Sequence, residues 1–248
     1  MIPDKYQEEY IIPCYFLSLG YRLRPSSFFD IAQELAVRGS TQLGVPDPVL
    51  LERGLCWILL RTAIHFDAYP GVEEKVQLQT WHSGVRGPIS TRDYLCLDAS
   101  GKVMVRATSS WALMDVKARS LAKPERIFDI MSPEPQNPER ALQPDAPKIV
   151  IPRDCETEET GVHMVTWSDL DYNLHANNAK YPHWAMDALP KDVVMNQIVT
   201  DFCINYNREA RLGETVRIVR ARGADGAWYV EGLVENLQSF ICKIAFGE

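Results

Sequence analysis

The chain has 248 residues, enough for one large domain or two small ones, and its 46% hydrophobic and 24% charged residues match an ordinary globular protein. A net charge of −7 argues against a general nucleic-acid binder, though it leaves room for a local basic patch. No apolar run approaches the roughly 20 residues of a membrane span. The opening MIPDKYQEEY has neither the basic start nor the apolar core of a signal peptide, so a cytoplasmic protein is expected.

In chain order, residues 9–18 begin as a strand and Pro25-Ser26-Ser27 starts a helix. Along residues 28–43, Phe28, Ile31 and Leu35, and less regularly Val37 and Leu43, form an apolar stripe, with Gly44 just beyond. So apolar a segment suits a helix wrapped by sheet. Residues 55–66 (LCWILLRTAIHF) read as a long strand, and Tyr69-Pro70-Gly71 as a turn. Strands follow at 75–81, 92–97 and 103–114, the last two joined by the hairpin signal Asp98-Ala99-Ser100-Gly101. Residues 124–152 hold seven prolines and read as a stiffened linker lying against the surface. Beyond it come a strand (158–165), a helix (177–188) and strands near 197–206, 214–221, 227–236 and 237–246.

The second half repeats the first in residues as well as in element order. Ile64-His65-Phe66 and Val76-Gln77-Leu78 correspond to Ile204-Asn205-Tyr206 and Val216-Arg217-Ile218, an offset of 140 (204 − 64), with Gly71 answered by Gly213 displaced by two. The expectation is an α+β fold built of two units, each an antiparallel sheet around one helix. Residues 1–127 form the first unit, 128–152 the linker and 153–248 the second.

Six scattered cysteines without a CxxC pair suggest neither a disulfide framework nor a metal site, and read as reduced core thiols. With no GxGxxG and no GxxxxGK[ST], no nucleotide cofactor is expected. Chemistry concentrates instead in VTWSDLDYNLHANNAKYPHWAMDALP, which crowds Asp169, Asp171, Asn173, His175, Asn177 and Asn178 into ten positions. Up to His175 these groups alternate, so an extended chain would point them one way. Asn177 and Asn178 then read as the start of a helix carrying Tyr181 and Trp184 and stopped by Pro190. A carboxylate, an amide and an imidazole before a helix N-terminus suit hydrolysis of an activated carbonyl, although a capping turn built from Asx residues uses the same letters.

These residues resemble the acyl-acyl-carrier-protein thioesterases of bacteria and plant plastids. The pattern DxNxHxNNxxYxxW is met by Asp171, Asn173, His175, Asn177, Asn178, Tyr181 and Trp184, and Y-x-R-E plus a small residue by Tyr206, Arg208, Glu209 and Ala210. RATSSWALMDVKARSLAKP, running from Arg106 to Pro124, and the DAYPG-type turn at residues 67–71 complete the match, which covers nearly the whole chain. The resemblance implies a tandem double hotdog that hydrolyses the thioester of fatty acyl-acyl carrier protein, without cofactor or metal, as a monomer or homodimer. It also implies Asp171, Asn173, His175 and Glu209 as the catalytic set. Many plant members carry a cysteine where Ala210 stands, so a thiolate there is excluded and attack by water is implied.

In this reading Glu209 or His175 takes the proton, Asn173 positions water or carbonyl, and backbone donors near Asn177 and Asn178 stabilise the oxyanion. The first half lacks such a set: 140 positions before Glu209 stands Tyr69. That half would supply the acyl pocket, with Phe28, Phe29, Trp57 and Trp111 as lining candidates or plain core. His65, His82 and His163 read as structural, and His183 as facing away from the site. Arg217, Arg220 and Arg222 form a basic cluster that an acidic carrier protein would need, or a solvated strand face. Competing readings are a hotdog acting on coenzyme A esters, a hotdog dehydratase, and a non-catalytic acyl-binding module.

Overall fold

In the computed structural model, which describes residues 4–247, the first half comprises β1 (Tyr6–Ile11), α1 (Pro25–Gln42), α2 (Asp47–Glu52), β2 (Leu55–Phe66), β3 (Lys75–Arg86), β4 (Ile89–Leu97) and β5 (Val103–Asp115), with a two-residue β6 (Ser120–Leu121) beside β5. The second half comprises β7 (Thr157–Met164), α3 (Lys180–Asp187), α4 (Lys191–Asn196), β8 (Ile198–Tyr206), β9 (Thr215–Arg222), β10 (Trp228–Val234) and β11 (Leu237–Gly247). Every ladder is antiparallel, and the strands form a single 11-stranded sheet in the order β1-β3-β4-β5-β2-β8-β11-β10-β9-β7, with β6 off this path.

That order is a palindrome. Reading outward from the β2–β8 seam, each half runs through its second, fifth, fourth, third and first strands (β2, β5, β4, β3, β1 and β8, β11, β10, β9, β7). At the seam Ala63 pairs with Cys203, and these residues stand at the repeat offset of 140 (203 − 63), so a pseudo-two-fold axis passes through this pair. Each half is thus one hotdog, an antiparallel sheet wrapped about a helix, and the tandem arrangement is the double hotdog expected from the sequence.

Helix α1 begins with Pro25 in its first turn, where the missing N–H costs nothing, and ends before Gly44, whose φ of 79° supplies the left-handed residue that follows a helix C-cap. It is buried by Phe28, Phe29, Ile31, Ala32, Leu35 and Ala36 against the sheet, each large apolar side chain contributing about 1.5–3 kcal/mol. Phe28 packs edge-on to Phe66, and Phe29 edge-on to Phe202 across the seam. Helix α3 is much shorter, eight residues, and buries Tyr181, Trp184 and Ala185. Helix α3 ends at Asp187, before Pro190 as the sequence reading has it, and Pro190 then caps α4, an additional turn and a half leading into β8. The sequence pattern also did not reveal α2, six residues under a Pro46 cap that bury only Leu50. So short a helix carries too little periodicity to stand out.

The proline-rich segment winds around the sheet. Ile127 and Met131 pack with Leu43, Leu50, Leu55 and Leu113 on the helix-facing side. The chain then turns past the β3 bulge, where Val85 N donates to Pro133 O. Ala141 and Ile149 finish on the opposite side of the sheet, against Trp81, Leu95 and Leu97, and against Tyr229 and Ile241. The segment is pinned by Trp81 Nε1 to Glu139 O (2.9 Å), by Asn205, which bonds both Pro147 O and Ile149 N, and by Arg140 Nε to Asp93 Oδ2 at 2.6 Å with Asp93 fully buried. No helix among the described residues is long and apolar enough to cross a membrane.

Candidate active site

The polar stretch before α3 folds as a turn, not as the extended segment its alternation suggested. Leu174 takes φ 63°, Asp171 N donates to His175 O, and Leu170 bridges to Ala176. Asp171 holds the turn together: its Oδ1 accepts from Asn173 N at 2.8 Å and from His175 N at 3.4 Å. Asn177 does the same slightly further along, accepting from Ala179 N at 2.9 Å, so the helix starts at Lys180 rather than at Asn177. Competition by Asx side chains for backbone donors is what delays the helix.

The second motif returns beside this turn. Ala176 N donates to Ala210 O, and His175 bridges to Arg211. Two tyrosines fasten the segments: Ala210 N donates to Tyr181 Oη (3.0 Å) and Tyr206 Oη donates to Asn178 O (3.2 Å). Burial raises the pKa of both phenols, keeping them neutral. Ala210 itself is fully buried behind Tyr181.

This frame brings His175 Nε2 to 3.1 Å from Glu209 Oε2. The same oxygen lies 3.1 Å from Arg119 Nη2 and 3.6 Å from Arg211 Nη2. Arg119 arrives from the first repeat, 90 positions earlier in the chain, and was not read as a site residue from the sequence. Its only signal was the basic end of the RATSSWALMDVKAR stretch, because no spacing rule connects positions so far apart.

His175, Glu209, Asp171, Asn173 and Asn178 sit on the wall of an open cavity of about 1320 Å³ that runs into the first repeat, between α1 and strands β2 to β5. Trp57 and Trp111 line it. Phe28 does not: it is fully buried against Phe66. Phe29 borders only a small void beneath Asn178 and Tyr206, and Asn177 faces away into its own turn. The loop of Asp171 and His175 reaches across the mouth to α2, where Tyr172 Oη donates to Asp47 Oδ2 at 2.6 Å.

The three strand arginines do not form one patch. Strand alternation places Arg220 and Arg222 on the helix side with Val216 and Ile218, and Arg217 on the other side with Ala221. Arg220 is bound by Glu158 at 2.7 Å and donates to Ala188 O, closing the C-terminal end of α3. Arg217 meets Glu159 at 3.3 Å. Three of the remaining histidines are engaged by neighbours away from the His175–Glu209 contact. His65 Nδ1 meets Asp201 at 2.7 Å across the seam, His163 stacks on Trp184, and His183 lies 3.8 Å from Asp30 on α1. His82 is buried on β3.

A fused pair of hotdogs with one polar constellation at the mouth of a deep cavity defines this chain as a tandem double-hotdog protein. Residues 3–130 match the Acyl-ACP thioesterase N-terminal domain and residues 153–243 the Acyl-ACP thioesterase C-terminal domain, and the chain belongs to the acyl-ACP thioesterase family. It is 27% identical over 228 residues, 87% of its length, to a chloroplastic acyl-[acyl-carrier-protein] hydrolase of Cuphea viscosissima, covering 54% of that protein. A chloroplastic palmitoyl-acyl carrier protein thioesterase of Gossypium hirsutum is 31% identical over 165 residues, covering 65% of this chain and 40% of that protein. The chain thus spans about half the length of the curated relatives it matches. Among solved structures, an acyl-ACP thioesterase from Bacteroides thetaiotaomicron superposes with TM-score 0.89 at 20% identity, covering 98% of both chains. The 12:0-ACP thioesterase from Umbellularia californica superposes with TM-score 0.87 at 18% identity, covering 100% of this chain and 98% of that one. At these identities the likeness is one of fold.

Proposed function

We propose that this protein hydrolyses the thioester of a fatty acyl chain carried on acyl carrier protein, releasing the free fatty acid. The observation that carries the reading is the His175–Glu209 contact at the mouth of a cavity deep enough for an acyl chain. Water held beside the contacting pair attacks the thioester carbonyl carbon, and its proton passes to the His175–Glu209 pair. Glu209 Oε2 already faces three donors, so the accepting atom is Glu209 Oε1 or His175 Nδ1. The carbonyl π electrons move onto oxygen, where the Asn173 amide and the cationic field of Arg119 and Arg211 stabilise the oxyanion. Collapse expels the thiolate, which takes the proton back from the pair. Asp171 acts through the turn it holds rather than on the imidazole.

An acidic carrier protein would meet Arg119 and Arg211, whose side chains are 59% and 57% exposed at the mouth. Arg217, Arg220 and Arg222 contribute less to docking, since two of them are already bound by glutamates on a neighbouring strand. The free cysteines suit a reducing compartment, cytoplasm or plastid alike, and the chloroplastic location in the names of the plant relatives belongs to those proteins.

The test is thiol release from a panel of acyl-acyl-carrier-protein and acyl-coenzyme A thioesters of varied chain length. Turnover of carrier-bound substrates at the higher kcat/KM supports the proposal. Faster turnover of the coenzyme A series, or no release from either, overturns it.

A further inference from the structure

The deep end of the cavity is not the plain hydrocarbon lining that a simple fatty tail calls for. Arg92 on β4 is only 6% exposed, yet it borders the cavity. Its Nη1 donates to Thr80 Oγ1 at 3.3 Å, and among the described residues it forms no ion pair. Helix α1 makes room for it: a Cβ at Gly39 would fall 2.1 Å from Arg92 Nη1, so glycine stands in the last turn of the helix where alanine would favour it. Three more polar side chains share this wall. Ser90 is 7% exposed on the same face of β4, and His82, paired with Arg92 in the β3–β4 register, is 3% exposed. His82 Nε2 and Trp57 Nε1 are both buried with no hydrogen-bond partner.

A buried guanidinium without an anion, next to orphaned polar nitrogens, is unfavourable unless something else satisfies it. Arg92, Ser90 and His82 also lie away from the chemistry, on β4 and β3, while Trp57 on β2 borders the nearer side. Strands β2, β5, β4 and β3 are consecutive neighbours, so three strand spacings put His82 about 14 Å from the β2 wall where the two repeats meet. Building on the hydrolase reading above, we propose that Arg92, with Ser90, His82 and Trp57, forms a subsite for an oxygen function on the acyl chain remote from the thioester. A hydroxyl, a ketone or a carboxylate would serve, because each offers the acceptor that a fork of guanidinium donors recognises. The preferred substrates are oxygenated acyl chains, and plain ones are the poorer fit. Discrimination of this kind is strong, since a site built to bond an oxygen leaves buried polar groups unpaired when the oxygen is missing.

The experiment compares chain-length-matched plain, ω-hydroxy and ω-carboxy acyl thioesters in the wild type, Arg92→Met and Arg92→Lys. The wild type should favour at least one oxygenated series by tenfold or more in kcat/KM. Arg92→Met should invert that ratio, and Arg92→Lys should keep some of it. A wild type that prefers plain chains, with the ratio unmoved in Arg92→Met, overturns the subsite while leaving thioester hydrolysis in place. Should Arg92→Met fail to fold, Ser90→Ala and Trp57→Phe read the same ratio, and an unchanged value in both counts against the proposal. If no thioester is turned over, the hydrolase reading fails separately. Displacement of a fluorescent fatty acid by free ω-hydroxy and plain acids then decides: tenfold tighter binding of the hydroxy acid supports the subsite, and equal affinity overturns it.

Discussion

Glu209→Gln separates chemistry from architecture. The amide has the size of the carboxylate and keeps an oxygen that His175, Arg119 and Arg211 can still reach, but it cannot accept a proton. Loss of general base catalysis costs about 10²–10⁴ in rate, or roughly 3–5 kcal/mol in the barrier. The folded state should scarcely notice. The glutamate side chain is 35% exposed, and Arg119 and Arg211 are more exposed still, so the ion pairs contribute at most about 1 kcal/mol together. For a chain of this size that moves the melting temperature by about 2–4 °C or less. The assay is steady-state hydrolysis of a carrier-bound substrate alongside thermal unfolding. A kcat within threefold of wild type, at unchanged melting temperature, would refute the assignment of Glu209 to the proton transfer.

Other outcomes follow from the same geometry. Asp171→Asn keeps the Oδ1 acceptor and should retain most activity, while Asp171→Ala removes two turn hydrogen bonds, each worth about 1 kcal/mol or more, and should lose at least tenfold in kcat; equal loss in both would instead give the carboxylate a chemical role. Arg140→Ala leaves the buried Asp93 carboxylate without its partner and should destabilise by about 3–5 kcal/mol in urea unfolding, with a change under 1 kcal/mol disproving the clasp. Burial and the neighbouring Arg92 lower His82 to about 4, so between that value and about 6.5 the unfolded chain binds the extra proton. Stability should therefore fall as pH drops through this window, by roughly 3 kcal/mol at most, and His82→Gln should flatten that region of the profile. Burial pushes the Cys96 and Cys203 thiols up to about 12, so both should resist alkylation at pH 8 while exposed Cys14 reacts, and no acyl-cysteine adduct should form during turnover.

Much of the fold was legible because it rests on local periodicity and on duplication. The residues 55–66 strand is β2 as read, and the offset of 140 revealed the duplication, while the place of the seam at Ala63 and Cys203 came only with the strand pairing. Edges slipped where a side chain outcompeted the backbone pattern. Asn177 and Asp171 bind their own loop, so letters that alternate like a strand fold as a turn. The candidate site residues Asp171, Asn173 and His175 stood out by their density in one stretch, but Arg119 did not, since its approach to Glu209 is set by how β5 and the second repeat meet. The strand arginines failed for a simpler reason: positions 217, 220 and 222 do not share parity, and a strand sends odd and even side chains apart.

The seam has a consequence for how this molecule can change. In a homodimer built on a two-fold axis, every contact across the interface occurs twice, because residue i meets j and j meets i. Here the axis relates the pair His65–Asp201 to the pair Arg61–Asn205, and the two are chemically different: one joins imidazole to carboxylate at 2.7 Å, the other sets a guanidinium opposite an amide that is turned toward the linker. Covalent fusion has released each contact from its mirror image. A single codon change alters one crossing and leaves its counterpart untouched. One half can therefore hollow out to hold a chain while the other keeps the acid, the amide and the imidazole, and neither adaptation is imposed on both.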